Sequence, residues 1–200
     1  SGVLLARFSL AGQVQAADLA PDAMVQKVAG ETLAQIKADA SLQTGDVSRI
    51  IALVDRNVMP HVNFTRLTGT AVGPAWRTAT PEQKKRLEKE FKTLLARTYA
   101  GAFKLANDKE LKVLPMRGAA TGNDVLVQTQ LIGGSEPVPM DYRLEKTPGQ
   151  GLGWKAYNLS VSNEWMIQSY RQQFAQIINS SGIEGLISRL EAQNKNNAGK

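Results

Sequence analysis

Three features of the chain predict an α+β fold: helical spacing of apolar residues up to Phe103, period-two alternation from Leu111 to Val161, and helical spacing again from Trp165. Consecutive strands joined by short turns most simply form an antiparallel meander, here a curved sheet of about four strands with one face covered by several helices. The 200 residues fit a single domain and can bury roughly 70% of the unfolded chain's surface, so no covalent staples are required.

The first helix is expected over 21–40, with a proline near its start and Val25, Val28, Ala29, Leu33 and Ile36 on one face. A second, over 46–58, is marked by Ile50, Ile51, Leu53 and Val54 and ended by Pro60. A short helix over 61–71 should stop around Gly73-Pro74. The next helix carries the strongest local signal. Thr80-Pro81-Glu82-Gln83 places a hydroxyl at the N-cap, proline at N1 and glutamine at N3, which is a capping box. Leu87, Phe91, Leu94, Leu95, Thr98, Ala102 and Phe103 then recur every three or four residues with Tyr99 beside them, while Lys84, Lys85, Lys89 and Lys92 lie on the other side. At 1.5 Å per residue that helix spans about 35 Å.

Strands are expected over 111–116, 124–132, 138–146 and 154–161, separated by turns at 118–123, 133–137 and 147–153. In the third, Val138, Met140, Tyr142 and Leu144 alternate with Pro139, Asp141, Arg143 and Glu145, giving one dry and one wet face. Trp165, Met166, Ile167, Tyr170, Phe174, Ile177 and Ile178 restore helical spacing, followed by a last segment over 183–190. Residues 191–200 read as a polar, frayed tail. At the other end, Val14-Gln15-Ala16-Ala17 looks like a cleavage site ahead of Asp18, so residues 1–17 read as a secretory-signal remnant or an added N-terminus, and 18–190 as the domain. No window approaches about 18 uninterrupted apolar residues, so no segment reads as a membrane-spanning helix.

Composition excludes several chemistries. With no cysteine there is no disulfide framework, thiol nucleophile or cysteine metal site. The sole histidine, His61, follows Pro60 at a corner and reads as a turn or packing residue; no Gly-x-Ser-x-Gly elbow accompanies it. Glu88 and Glu90, and Asp108 and Glu110, are two apart and do not face one another on a helix. Neither Gly133-Gly134 nor the glycines at 149–153 carry the lysine and hydroxyl of a phosphate loop. The chain therefore reads as neither an enzyme nor a cofactor or metal protein. Eleven Lys or Arg face five Asp or Glu between Arg77 and Arg117, a surplus equal to the whole chain's net charge of +6. This segment is either a solvated helix face laced with Glu82, Glu88 and Glu90 or a positive surface for lipid phosphates, a membrane leaflet or an acidic partner. No aromatic and arginine cluster of the stacking type accompanies it, which argues against nucleic acid.

The order of several words is more specific than any of them singly. Trp76, Ala79 to Gln83, the ladder Phe91, Leu94, Leu95, Thr98, Tyr99, and the later Tyr170 to Phe174 resemble the MlaC, or toluene-tolerance (Ttg2D-like), family of auxiliary transport components. The likeness extends through Val54-Asp55, Met59-Pro60, Tyr142-Arg143-Leu144, Trp154 with Tyr157, and Gly182 to Ile187. Where the family has Asp-Val and then Glu-Gly-Val-Ser, this chain has Asn158-Leu159 and then Ser162 to Trp165, a departure at the loop between last strand and next helix. The resemblance implies an NTF2-like, cystatin-like architecture enclosing an apolar cavity. It also implies a periplasmic phospholipid carrier in an ABC-type lipid transport system that maintains outer-membrane asymmetry. Its implied partners are an outer-membrane lipoprotein–porin complex and an inner-membrane ABC transporter, with transient membrane-surface contact, and bound phospholipid is cargo.

Acyl chains must be buried about as well as in a bilayer, at about 0.8 kcal/mol per CH₂, which only a deep aliphatic pocket provides. Facing and family position together assign the lining to Phe91, Leu94, Leu95 and Tyr99, to Val127, Met140, Tyr142 and Leu144, and to Met166, Tyr170 and Phe174. The alternative is a small non-catalytic α+β interaction domain in which the same residues form an ordinary packed core.

Overall fold

The computed structural model describes residues 18–116, 122–134 and 136–196; residues 1–17 and 197–200, on which the readings of the two termini partly rest, lie outside them. Four helices precede the sheet: α1 (Pro21–Ala38), α2 (Val47–Asn57), α3 (Phe64–Val72) and α4 (Pro81–Lys104). They are joined by 3-10 turns at Ala40–Thr44, Met59–His61 and Pro74–Thr78. The capping box of α4 forms as its sequence dictates: Gln83 N donates to the Thr80 hydroxyl at 3.1 Å and Thr80 N donates to the Gln83 side chain at 2.9 Å. α3 starts at Phe64 rather than at His61, because the Asn63 side chain accepts from Arg66 N and caps it there.

The strands β1 (Glu110–Val113), β2 (Asp124–Ile132), β3 (Val138–Lys146), β4 (Trp154–Val161) and β5 (Glu164–Trp165) form one antiparallel meander in sequence order. The middle three match their sequence-based bounds. β1 ends before 116: Leu114 N still donates to Gln128 O, but Pro115 has no donor to continue the ladder. β5 adds a fifth strand to the expected four. Ser162 and Asn163 take positive φ (53° and 66°) and close a two-residue hairpin, the geometry asparagine tolerates best after glycine.

α5 (Met166–Asn196) is two helical pieces meeting at Gly182, whose φ of 69° and ψ of −174° are accessible in practice only to glycine. It runs past Glu191, where composition suggests fraying, because tertiary bonds hold it. Asn194 Nδ2 donates to Glu90 O (3.0 Å) and to the Glu90 carboxylate (2.7 Å), and Glu191 pairs with Arg86 at 2.8 Å.

Apolar packing is divided among three clusters. α3, α4 and α5 share one, centred on Leu87, Phe91, Ile167, Phe174, Leu186 and Ile187. α1 covers part of the sheet in a second, through Met24 and Val25 against Val125, Val127, Leu144 and Trp154. A third, small one joins Ile36, Leu42, Leu53 and Ala106. Gly182→Ala is expected to destabilise the protein by about 1–3 kcal/mol, whereas Gly101→Ala, in exposed helix with open space at its Cβ, is expected to stabilise it by about 0.5–1 kcal/mol. Urea denaturation of the two variants checks both signs.

Candidate functional site

The register aligns an apolar face across the sheet. Val113, Thr129, Met140 and Val161 form one rung, Val127, Tyr142 and Leu159 the next, and Val125, Leu144 and Ala156 a third. Opposite side chains, such as Gln128, Asp141 and Ser160, form the polar face. Between Arg143 and Leu144 the register slips, so that Arg143 opposes Asn158 while Leu144 opposes Ala156 and Tyr157 is left over in a bulge. Its hydroxyl donates to the Asp124 carboxylate, and the Arg66 guanidinium lies 3.7 Å from its ring centroid.

α1 packs only one end of the apolar face. Val127 and Leu144 there are fully buried, at 0% exposure. Met140, Leu159 and Val161, at the other end, are half-buried and belong to none of the three packed clusters. α4 packs on α2, α3 and α5, but among the described residues it makes no extensive contact with any strand. Tyr142 sits at the boundary. Burial pushes its phenol up to about 12, yet the side chain keeps accessible surface. Thr129 Oγ1, a buried hydroxyl on this face, donates to the Met140 carbonyl at 2.7 Å.

The eleven residues predicted from sequence therefore divide. Phe91 and Phe174 are closed into an aromatic cluster, their ring centroids 5.3 Å apart, with Tyr170 5.2 Å from Phe91. Leu94, Leu95 and Tyr170 pack partly against that cluster and keep accessible surface. Tyr99 is half-buried near Tyr170 and Glu164, and desolvation raises its phenol first of all. Met166 is buried and Met140 half-buried, outside the clusters. Leu159 and Val161 share this face but are not among the eleven, because the bulge at Tyr157 moves the apolar positions of β4 from even numbers up to Ala156 to odd numbers from Leu159.

The surface carries two clefts of about 590 and about 610 Å³, and none of the eleven residues lines either. Their walls come from α3, α4, α5, β4 and the turns at 59–61 and 74–78, and they are rich in Lys and Arg. His61 has a buried Nδ1 without a partner, and burial lowers its pKa. Among the described residues, no group of three His, Cys, Asp or Glu side chains converges on a metal position, and no helix is long and apolar enough to cross a membrane.

Fold and site together define the class: an α+β domain with an open antiparallel sheet whose apolar face is closed by α1 at one end and only half-buried at the other. The family model described as MlaC protein matches residues 26–192, and the chain belongs to that family. It is similar, with a TM-score of 0.83 and 37% identity, to the phospholipid-binding protein from Ralstonia solanacearum solved in complex with a phospholipid, over 89% of this chain and 98% of that one. It is 21% identical over 177 residues to the intermembrane phospholipid transport system binding protein MlaC of Haemophilus influenzae, covering 88% of this chain and 82% of that protein. Identity to the toluene tolerance protein ttg2D of Pseudomonas putida is 28% over 182 residues, 90% of this chain and 81% of that one.

Because the folded state holds the Tyr142 proton more tightly than the unfolded chain, its contribution to stability is intact below about pH 10. That contribution falls as pH rises toward about 12. Tyr142→Phe is expected to remove this alkaline loss, about 3 kcal/mol when complete. It should also delete a phenol that titrates well above the ordinary tyrosine range, read by tyrosinate absorbance.

Proposed function

We propose that this protein is a non-catalytic phospholipid carrier that holds its cargo's acyl chains against the half-buried end of the sheet's apolar face. The observation that carries the reading is that Met140, Leu159 and Val161 share this face, are only half-buried and belong to none of the packed clusters, with Tyr142 at their boundary. Leu94, Leu95 and Tyr99 supply the opposite wall. Two acyl chains of about 16 carbons represent on the order of 20 kcal/mol of apolar surface withdrawn from water, near parity with a bilayer. Near parity is what transport requires, since cargo held much more tightly would not be released to a membrane. Docking then sets direction. The solved relative carries a phospholipid, and the curated relatives are named for phospholipid transport and toluene tolerance. These names support a periplasmic shuttle between outer and inner membranes, maintaining outer-membrane asymmetry. It would dock in turn on an outer-membrane lipoprotein–porin complex and an inner-membrane ABC transporter.

Native mass spectrometry of the purified protein is expected to show an added mass of about one diacyl phospholipid, identified after solvent extraction. Leu95→Arg and Met140→Glu are expected to reduce occupancy at least several-fold with the circular dichroism spectrum retained. Leu126→Glu, on the opposite sheet face beside Arg143, is expected to leave it unchanged. A bare polypeptide mass together with no uptake from labelled vesicles would leave the ordinary packed interaction domain as the better reading.

A further inference from the structure

The two surface clefts are not separate features. Asn63 and Thr65, at the start of α3, line both, so the clefts adjoin and together form one cation-rich trough. One bank carries Arg66, Arg77 and Arg171; the other carries Lys85, Lys89, Lys92 and Lys155. Glu88 is the single carboxylate between them, and its oxygen already accepts from the Thr65 hydroxyl. Lys92 is paired with Asp55 at 2.8 Å and Arg66 with Glu145 at 3.7 Å. Among the described residues, Arg77, Lys85, Lys89, Lys155 and Arg171 have no ion-pair partner.

Met59, Val62 and Phe64 line the lysine-rich cleft, and Trp76 lines the arginine-rich one. That wall is encoded in sequence. A Cβ at position 69 would come within 2.7 Å of Trp76 Nε1, so glycine there lets the indole lie against α3. Lys84 Nζ stands 5.3 Å from the same ring.

We infer that this trough docks an acidic polypeptide segment of a partner protein, with Asp or Glu side chains toward the cationic side chains and an apolar side chain against the apolar lining. Charge complementarity selects an anion, and clefts of about 590 and 610 Å³ lined by apolar as well as cationic side chains suit a chain segment with acidic and apolar residues better than a planar leaflet. The inference gives the carrier reading a place to dock, but it concerns a surface that includes none of the proposed cargo contacts.

The test is a ¹H–¹⁵N NMR titration of the lipid-loaded protein with a soluble peptide of mixed Asp, Glu and Leu, set against its Asn and Gln counterpart and against phosphatidylglycerol vesicles. Expected are amide shifts confined to the trough, notably at Asn63, Gly69, Gly73 and Lys89, with the acidic peptide only. They should diminish at about 1 M salt, where the Debye length falls to about 3 Å. Lys85→Glu with Lys89→Glu, and separately Arg77→Glu with Arg171→Glu, should each weaken binding about ten-fold with lipid occupancy unchanged by native mass spectrometry. Three results would overturn the inference: no trough shifts, vesicle binding that these variants abolish without any peptide binding, or loss of the cargo itself in the same variants. A bare polypeptide mass for the unmodified protein would sink the carrier reading alone, since peptide binding at the trough is read independently of lipid.

Discussion

Two asparagines on or against β4 hold the helical layer to the sheet, and the unfilled apolar face depends on that mode of attachment. Asn63 caps α3 with its side-chain oxygen, donates its backbone N–H to Ala156 O at 2.8 Å, and donates its amide to Glu145 at 2.8 Å. Asn158, buried, accepts from Ile167 N at the start of α5 and donates to Gln168. Each peg satisfies backbone groups that would otherwise be left without partners at a helix start or strand edge, at about 1–3 kcal/mol for a buried orphan. A layer fixed by apolar side chains interdigitating with the sheet would have to sit directly on the sheet's apolar face. A layer fixed by polar pegs need not, and α4 accordingly builds its contacts with α2, α3 and α5.

The same division explains why there are three clusters of buried apolar residues. α1 packs on β1 and β2, while α3 and α5 meet the sheet at β4; Met140, Leu159 and Val161 join none of the clusters so formed. Outside the sheet, the Tyr157 bulge, the Arg66 guanidinium over it, and the bonds of Asn63 and Arg66 to Glu145 tie α3 to the polar side. The ends of α4 and α5 are joined through Arg86, Glu184, Glu191, Glu90 and Asn194. Polar bonds thus hold the frame together around a surface that apolar packing leaves open.

The regular elements were legible in the sequence because their signals are local. The capping box at Thr80 and Gln83 and the alternation in β2, β3 and β4 need no tertiary partner to be recognised. The pegs were not legible. Nothing in the words around Asn63 or Asn158 says which strand or helix start the side chain will reach, and the hairpin at Ser162-Asn163 lies where the chain departs from its family's pattern. The site suffered from a related ambiguity. Phe91 and Phe174 share a face with Leu94, Leu95 and Tyr170, and periodicity gives a wall residue and a core residue the same spacing. Only packing separates them: the two phenylalanines are each 1% exposed, while their neighbours keep accessible surface.

That separation bears on how a carrier holds together at all. An apolar face left open toward an internal space forgoes the dispersion contacts of a close-packed core and the area term of about 25 cal/mol per Å² that burial normally supplies. Where that face takes cargo, as proposed, closed clusters and polar pegs hold the fold without the face being filled. In the proposed carrier, cargo then restores the missing contacts, and binding free energy adds to folding free energy by mass action. A rigid frame with an unfilled wall also keeps cargo affinity close to that of the bilayer, because little ordering of the protein remains to be driven by binding. Polar attachment of the helices is in this sense the condition for exchange with a membrane: it makes the empty and loaded states close enough in stability for a docking partner to decide between them.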